Sequence, residues 1–142
     1  MWVIEKAKEL MNQRPKIKYV MGADDLVGFD QSLDCSAYIW RCHGTRKFDN
    51  KVWRNTSWLW NDVENRETHF EKVNTLEEAQ QGDIIVYGWS KGKAGHVAII
   101  DKVDSKGNIT GYDCSSSRGG VSYRSLNFFK KKDYRIGRWK LT

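Results

Sequence analysis

The spacing of apolar positions changes partway along the chain, dividing it into a helical first part and a stranded second part. Between residues 2 and 13, Trp2, Val3, Ala7, Leu10 and Met11 fall near one helical face. Pro15 closes that helix. Ile17, Tyr19 and Met21 alternate, so Lys16 to Gly22 reads as a short extended segment, and the Gly- and Asp-rich stretch to Gln31 reads as a loop. Asp34 then offers a helix N-cap, Cys35, Ile39 and Cys42 follow at helical spacing, and His43-Gly44 supplies the stop. Residues 45–81 are polar and mixed around the cluster Trp53, Trp58 and Trp60. Within them, Thr75 with Glu78 three residues on has capping-box spacing for a short helical turn.

Beyond Gly82 the period becomes that of strands. Asp83–Tyr87 and His96–Val103 are β-branched runs, separated by a hairpin loop from Gly88 to Gly95. A turn at Ser105–Asn108 leads to a third strand, Ile109–Asp113, and residues 121–125 and 134–139 form later ones. Helices first and an antiparallel sheet second predict an α+β fold, with residues 1–142 as one domain and no internal repeat. A hydrophobic share of 39% is enough for a core, and no apolar run is long enough to span a membrane.

Composition adds three points. Seven tryptophans exceed what core packing asks for, so some of Trp40, Trp53, Trp58, Trp60 and Trp89 are expected to line a ligand groove. The net charge of +6 favours anionic partners, among them the polymers of a bacterial envelope. Three cysteines with no secretory leader argue against a disulfide framework. The N-terminus is amphipathic, not a signal peptide, so the protein is expected to be made in a cytoplasm.

The chemistry centres on Cys35. A thiolate at a helix N-terminus is stabilised by the positive end of the helix and becomes a nucleophile. The first-turn N–H groups there can also hold an oxyanion. Such a nucleophile needs a proton acceptor, and His96, opening a strand after Gly95, is the candidate. Asp113 is the candidate to orient the imidazole. Counted from a turn near Gly107, His96 lies eleven residues before and Asp113 six after, so their meeting requires a bulge or an uneven loop.

Four blocks in this order carry a resemblance to the NlpC/P60 cysteine peptidases. Asp34-Cys35-Ser36 resembles the signature that opens the catalytic helix. Gly82–Tyr87 resembles the Gly-Asp-hydrophobic strand, and Gly95–Ile100 the strand of the catalytic histidine. Tyr19–Gly22 resembles the upstream Tyr-x-Trp-Gly motif, with Met21 in place of Trp. The resemblance implies a papain-like fold and hydrolysis of amide bonds in peptidoglycan stem peptides. It makes Cys35 the nucleophile, His96 the base and Asp113 the third polar residue, a position where the family more often has His. It also gives Tyr19, Asp34, Ser36 and Gly95 as substrate-binding positions. A small basic version resembles phage endolysins or tail-associated lysins acting on the host wall, and is expected to work as a monomer without a cofactor.

Other readings of the same residues have less behind them. Cys42, His43 and Cys114 cannot be written as a zinc set with usual spacing. Cys114 is expected in the core and His69 on the surface. The Trp53–Trp60 stretch holds few basic residues, which ranks nucleic acid below core packing and a substrate groove. Lys130-Lys131-Lys132 reads as a solvated turn. Two alternatives share the fold: an amidase, acyltransferase or deamidase toxin, and a non-catalytic wall-binding module, which has no need of the Cys35–His96 pair.

Overall fold

In the computed structural model, which describes residues 2–140, the first apolar stripe forms helix α1 (Trp2–Asn12). Its buried face is Val3, Ile4, Ala7 and Leu10; Ile4 takes the place expected of Trp2, which is largely exposed. Those four positions make the narrower stripe that one packed helix face can cover. Short strands β1 (Lys18–Tyr19), β2 (Asp24–Asp25) and β3 (Ser32–Leu33) make a small sheet of order β1-β3-β2, so part of the expected loop pairs after all. Helix α2 (Cys35–Cys42) buries every side chain but that of Arg41, as befits a helix inside the molecule. It ends at His43, and Gly44 beyond it takes a positive φ of 79°.

The mixed stretch that follows is more ordered than its sequence suggests. It holds a hairpin of β4 (Phe48–Asp49) and β5 (Val52–Trp53), helix α3 (Thr56–Asn61) and strand β6 (Phe70–Val73). Asn55 caps α3, its side chain accepting from the Trp58 N–H. The expected box at Thr75 does not form. Its hydroxyl donates to Glu78 Oε1 at 2.9 Å, ahead of a 3-10 turn over Leu76–Glu78.

Strands β7 (Ile84–Tyr87), β8 (His96–Val103), β9 (Ile109–Ser115), β10 (Gly120–Ser125) and β11 (Arg135–Trp139) join β6 in a six-stranded antiparallel sheet, order β10-β9-β8-β7-β11-β6. The architecture is mixed α/β. Side chains of β8 alternate between two cores. Val97 and Ile99 pack with residues of α1 and α2, while Ala98 and Ile100 pack with Leu126 and Phe129 on the other face. Both helices touch β8, and α2 also touches β9. Among the described residues, no helix is long and apolar enough to cross a membrane.

A bulge decides which residue of β9 stands beside His96. Near the turn, Val103 faces Ile109 and Lys102 faces Thr110; continued unbroken, that register would set Asp113 opposite Ile99, on the other face from His96. The register shifts between Ile100 and Lys102, so that Ile100 faces Gly111 and Ile99 faces Tyr112. Asp113 therefore falls opposite Ala98, on the same face as His96. The extra residue, Asp101, is tied to both sides: it accepts from Gln81 Nε2 and from the Tyr123 hydroxyl, each at 2.8 Å.

Candidate active site

The start of α2 is fixed by Asp34. One carboxylate oxygen accepts from the Ala37 N–H at 2.9 Å and the Ser36 hydroxyl at 3.2 Å. The other accepts from the Gly22 N–H at 3.1 Å and from Lys47 Nζ at 2.5 Å. The helix thus begins at Cys35, which puts the first-turn N–H donors and the positive helix end at its thiol. Cys35 is 7% exposed and lines a cavity of about 120 Å³ with Tyr19, Gly22, Trp53, Thr56, Trp89 and Gly95.

Gly95 brings the histidine to the same place. A Cβ there would stand 2.1 Å from the Tyr87 carbonyl oxygen and 2.6 Å from Thr56 Oγ1, so only glycine lets the start of β8 close on β7 and α3. Next to it, His96 Nε2 lies 2.7 Å from Asp113 Oδ2. Its ring stacks on Phe129, centroids 5.7 Å apart, with Phe128 at 5.9 Å. Nε2 being taken by Asp113, Nδ1 is the ring nitrogen left over, and Cys35 is near enough to act on the imidazole's titration. Burial alone would lower the pKa of His96. The hydrogen bonds to Asp113 and Cys35 outweigh it and raise the value to about 9. The ring is therefore an imidazolium at neutral pH.

Asp113 is wholly buried and is not shared with His96 alone. Arg124 donates to it from Nε at 3.1 Å and from Nη2 at 2.6 Å, and the Ser122 hydroxyl lies at 3.4 Å. Burial raises the carboxyl pKa, but His96 and Arg124 together bring it below the ordinary carboxylate value. The result is a chain of alternating charge, Arg124 to Asp113 to His96. Tyr19 faces the thiol from β1. Burial first, then the negative charge of Cys35 and Asp34, lifts its pKa to about 12, so its hydroxyl stays a donor.

Cys35, His96 and Asp113 are thus brought together, with Tyr19 and Gly95 on the same cavity. Asp34 and Ser36 border the cavity too, but their polar atoms are engaged in the cap and both residues are buried. Arg124 and Lys47 went unnoticed in the sequence. Arg124 had one signal: two residues beyond Ser122, which pairs with Asp113, it falls on the same face of β10. Lys47 had none, since its role depends on a loop folding back over α2.

The tryptophans divide. Trp53 and Trp89 are exposed on the cavity rim, as a groove requires. Trp40 is not a groove residue: it is fully buried, its indole N–H donates to the Arg54 carbonyl at 2.8 Å, and the Arg54 guanidinium lies 3.7 Å from its ring. Trp58 packs edge-on against Trp40. His69 is not a free surface histidine, because it packs against Trp40, Trp58 and Trp139. Cys42 and Cys114 are buried free thiols, which burial pushes to high pKa. Among the described residues, no group of His, Cys, Asp or Glu converges to hold a metal ion.

The model of the CHAP domain matches residues 25–114, more than half of the chain and the whole span from Cys35 through Asp113. No curated protein matches the chain.

Proposed function

Because the chain belongs to the CHAP domain family, within the NlpC/P60-like superfamily of cysteine peptidases and amidases, we propose that it is a peptidoglycan hydrolase working through Cys35 and His96. CHAP domains are typically hydrolases that act on peptidoglycan. The observation that carries the reading is the meeting of a helix-N-terminal cysteine with an imidazolium whose far nitrogen is held by a buried carboxylate. A wall-binding module has no use for that arrangement.

In this reading the Cys35 thiolate attacks a stem-peptide amide carbonyl, forming the carbon–sulfur bond. First-turn N–H groups and the Tyr19 hydroxyl stabilise the oxyanion. His96 gives its proton to the leaving amine as the carbon–nitrogen bond breaks. Water then attacks the thioester, giving a proton to His96, and the acid departs as the carbon–sulfur bond breaks and the thiolate is restored beside the imidazolium. Asp113 remains ionised throughout and steadies the imidazolium. The fold is read as papain-like and the biological setting as a phage endolysin or tail-associated lysin, for which the +6 charge suits an anionic envelope.

The test is clearing of purified bacterial walls, with released fragments identified by mass spectrometry. The parent should release new amine termini from stem peptides, and Cys35→Ala should release none. Equal clearing by Cys35→Ala removes the proposal.

A further inference from the structure

Beside the nucleophile lies a larger cavity of about 550 Å³ that the catalytic steps leave unused. The two cavities share Trp89 and Ala94 in their linings, so a molecule whose amide rests at Cys35 extends into the second without leaving the surface. Four lysines line it: Lys91 and Lys93 from the β7–β8 loop, and Lys131 and Lys132 from the segment before β11. All four are exposed, and among the described residues none stands within ion-pair distance of a carboxylate. The single acidic lining residue, Asp133, is itself paired with Arg135 at 2.8 Å. Apolar faces complete the wall: Trp60, held by its indole N–H on the Asp133 carbonyl at 2.9 Å, and the half-exposed Trp89.

We infer that this cavity is a substrate subsite that takes free carboxylate groups of the stem peptide, on the Trp89 side of the bond that Cys35 attacks. The inference rests on the hydrolase reading and adds a preference to it. Uncompensated ammonium groups around one hollow select a negative ligand. Continuity with the nucleophile cavity selects an anion on the substrate itself. Lysines act as point charges without a fixed fork, which suits carboxylates that vary in position along a flexible peptide. A stem peptide whose carboxylates are converted to carboxamides loses this attraction while keeping its shape.

The experiment uses two muropeptide preparations, identical except that one carries free stem carboxylates and the other carboxamides. The parent should cleave the carboxylate form with kcat/KM about tenfold higher at low salt, the difference lying in KM, as a few exposed charge pairs acting together would give. Raising the salt should shrink the ratio, since the Debye length falls to about 3 Å at 1 M. Replacing Lys91, Lys93, Lys131 and Lys132 together by Gln should bring the ratio within twofold, chiefly by raising KM for the carboxylate form. A ratio near one in the parent, or a ratio that survives the four replacements, overturns the subsite. Equilibrium binding of both preparations to Cys35→Ala separates the two readings. Preferred binding of carboxylates by a protein whose parent cuts neither form sinks the hydrolase and keeps the subsite. Equal binding with intact cleavage sinks the subsite alone.

Discussion

Replacing Asp113 by Asn tests whether the buried carboxylate tunes His96 or merely props it. Asn keeps the shape and can still accept from Nε2, but the negative charge is gone. With charge centres about 4 Å apart and an effective dielectric of about 20, that charge is worth about 4 kcal/mol to the imidazolium. This corresponds to about 3 pKa units at 1.36 kcal/mol each. His96 sits at the rim, its side chain 13% exposed, so water trims the shift to about 2 units. Arg124 does not cushion the loss, because its positive charge stays in place once its partner is neutral. In the parent, activity that depends on imidazolium should fall above a pH of about 9. In Asp113→Asn the same limb should move to about 7, leaving roughly a tenth of the activity at pH 8. Arg124→Leu should move it the other way or leave it in place, since it removes a cation that opposes the imidazolium. The assay is initial clearing rate of purified walls from pH 5.5 to 10 for the three proteins. An alkaline limb that stays near 9 in Asp113→Asn would refute the electrostatic role, whatever happens to the maximal rate.

Iodoacetamide should modify Cys35 well before Cys42 or Cys114, both fully buried with thiols that burial keeps protonated; mass spectrometry of labelled peptides showing equal rates would contradict the site. His43 is buried among Trp2, Phe70 and Trp139, with Nε2 unpartnered, and burial lowers its pKa to about 4. The unfolded chain takes up this proton below about 6.5 while the folded one refuses it until about 4, so stability is lost as pH falls through that window, by roughly 3 kcal/mol. Thermal unfolding from pH 7 to 4 should show the loss, and His43→Phe should flatten it; an unchanged slope would discard the assignment. Asp101→Ala removes the two ties of the bulge and should cost about 2 kcal/mol in chemical denaturation, with the alkaline limb still near 9. A displaced limb would mean that those ties, and not the core, hold the register.

What could be read in the sequence was whatever depends on near neighbours. The N-cap before Cys35, the glycine stop after His43 and the β-branched runs of β7 and β8 each declare themselves within a few residues. The need for a bulge between His96 and Asp113 was also countable, because period 2 leaves no freedom once the turn is located. What was hidden depends on partners far along the chain. Phe70–Val73 reads as polar filler, and becomes a strand only because β11 from the C-terminal end pairs with it. Trp40 looked like a groove residue until Arg54 and Phe70 closed over it. Lys47 reveals its part only when it meets the Asp34 carboxylate inside the protein.

The catalytic geometry follows from backbone constraints as much as from the reacting side chains, and magnitudes show which constraint governs. A slip of β8 by one residue against β9 would leave His96 and Asp113 on opposite faces and turn Val97 and Ile99 from the helix-side core toward the other one. Both faces of β8 are buried, so the slip exchanges Val97 and Ile99 with Ala98 and Ile100 between two packed cores, and each misfit, a void on one side or overpacking on the other, costs about 1–3 kcal/mol. The hydrogen bonds that pin Asp101 together offer only about half of what two such misfits cost. The fit of β8 to the two cores therefore selects the register, and the bulge absorbs the odd residue which that selection leaves over. The partnership of His96 with Asp113 is in this sense written by Val97 and Ile99, which touch neither the substrate nor the proton.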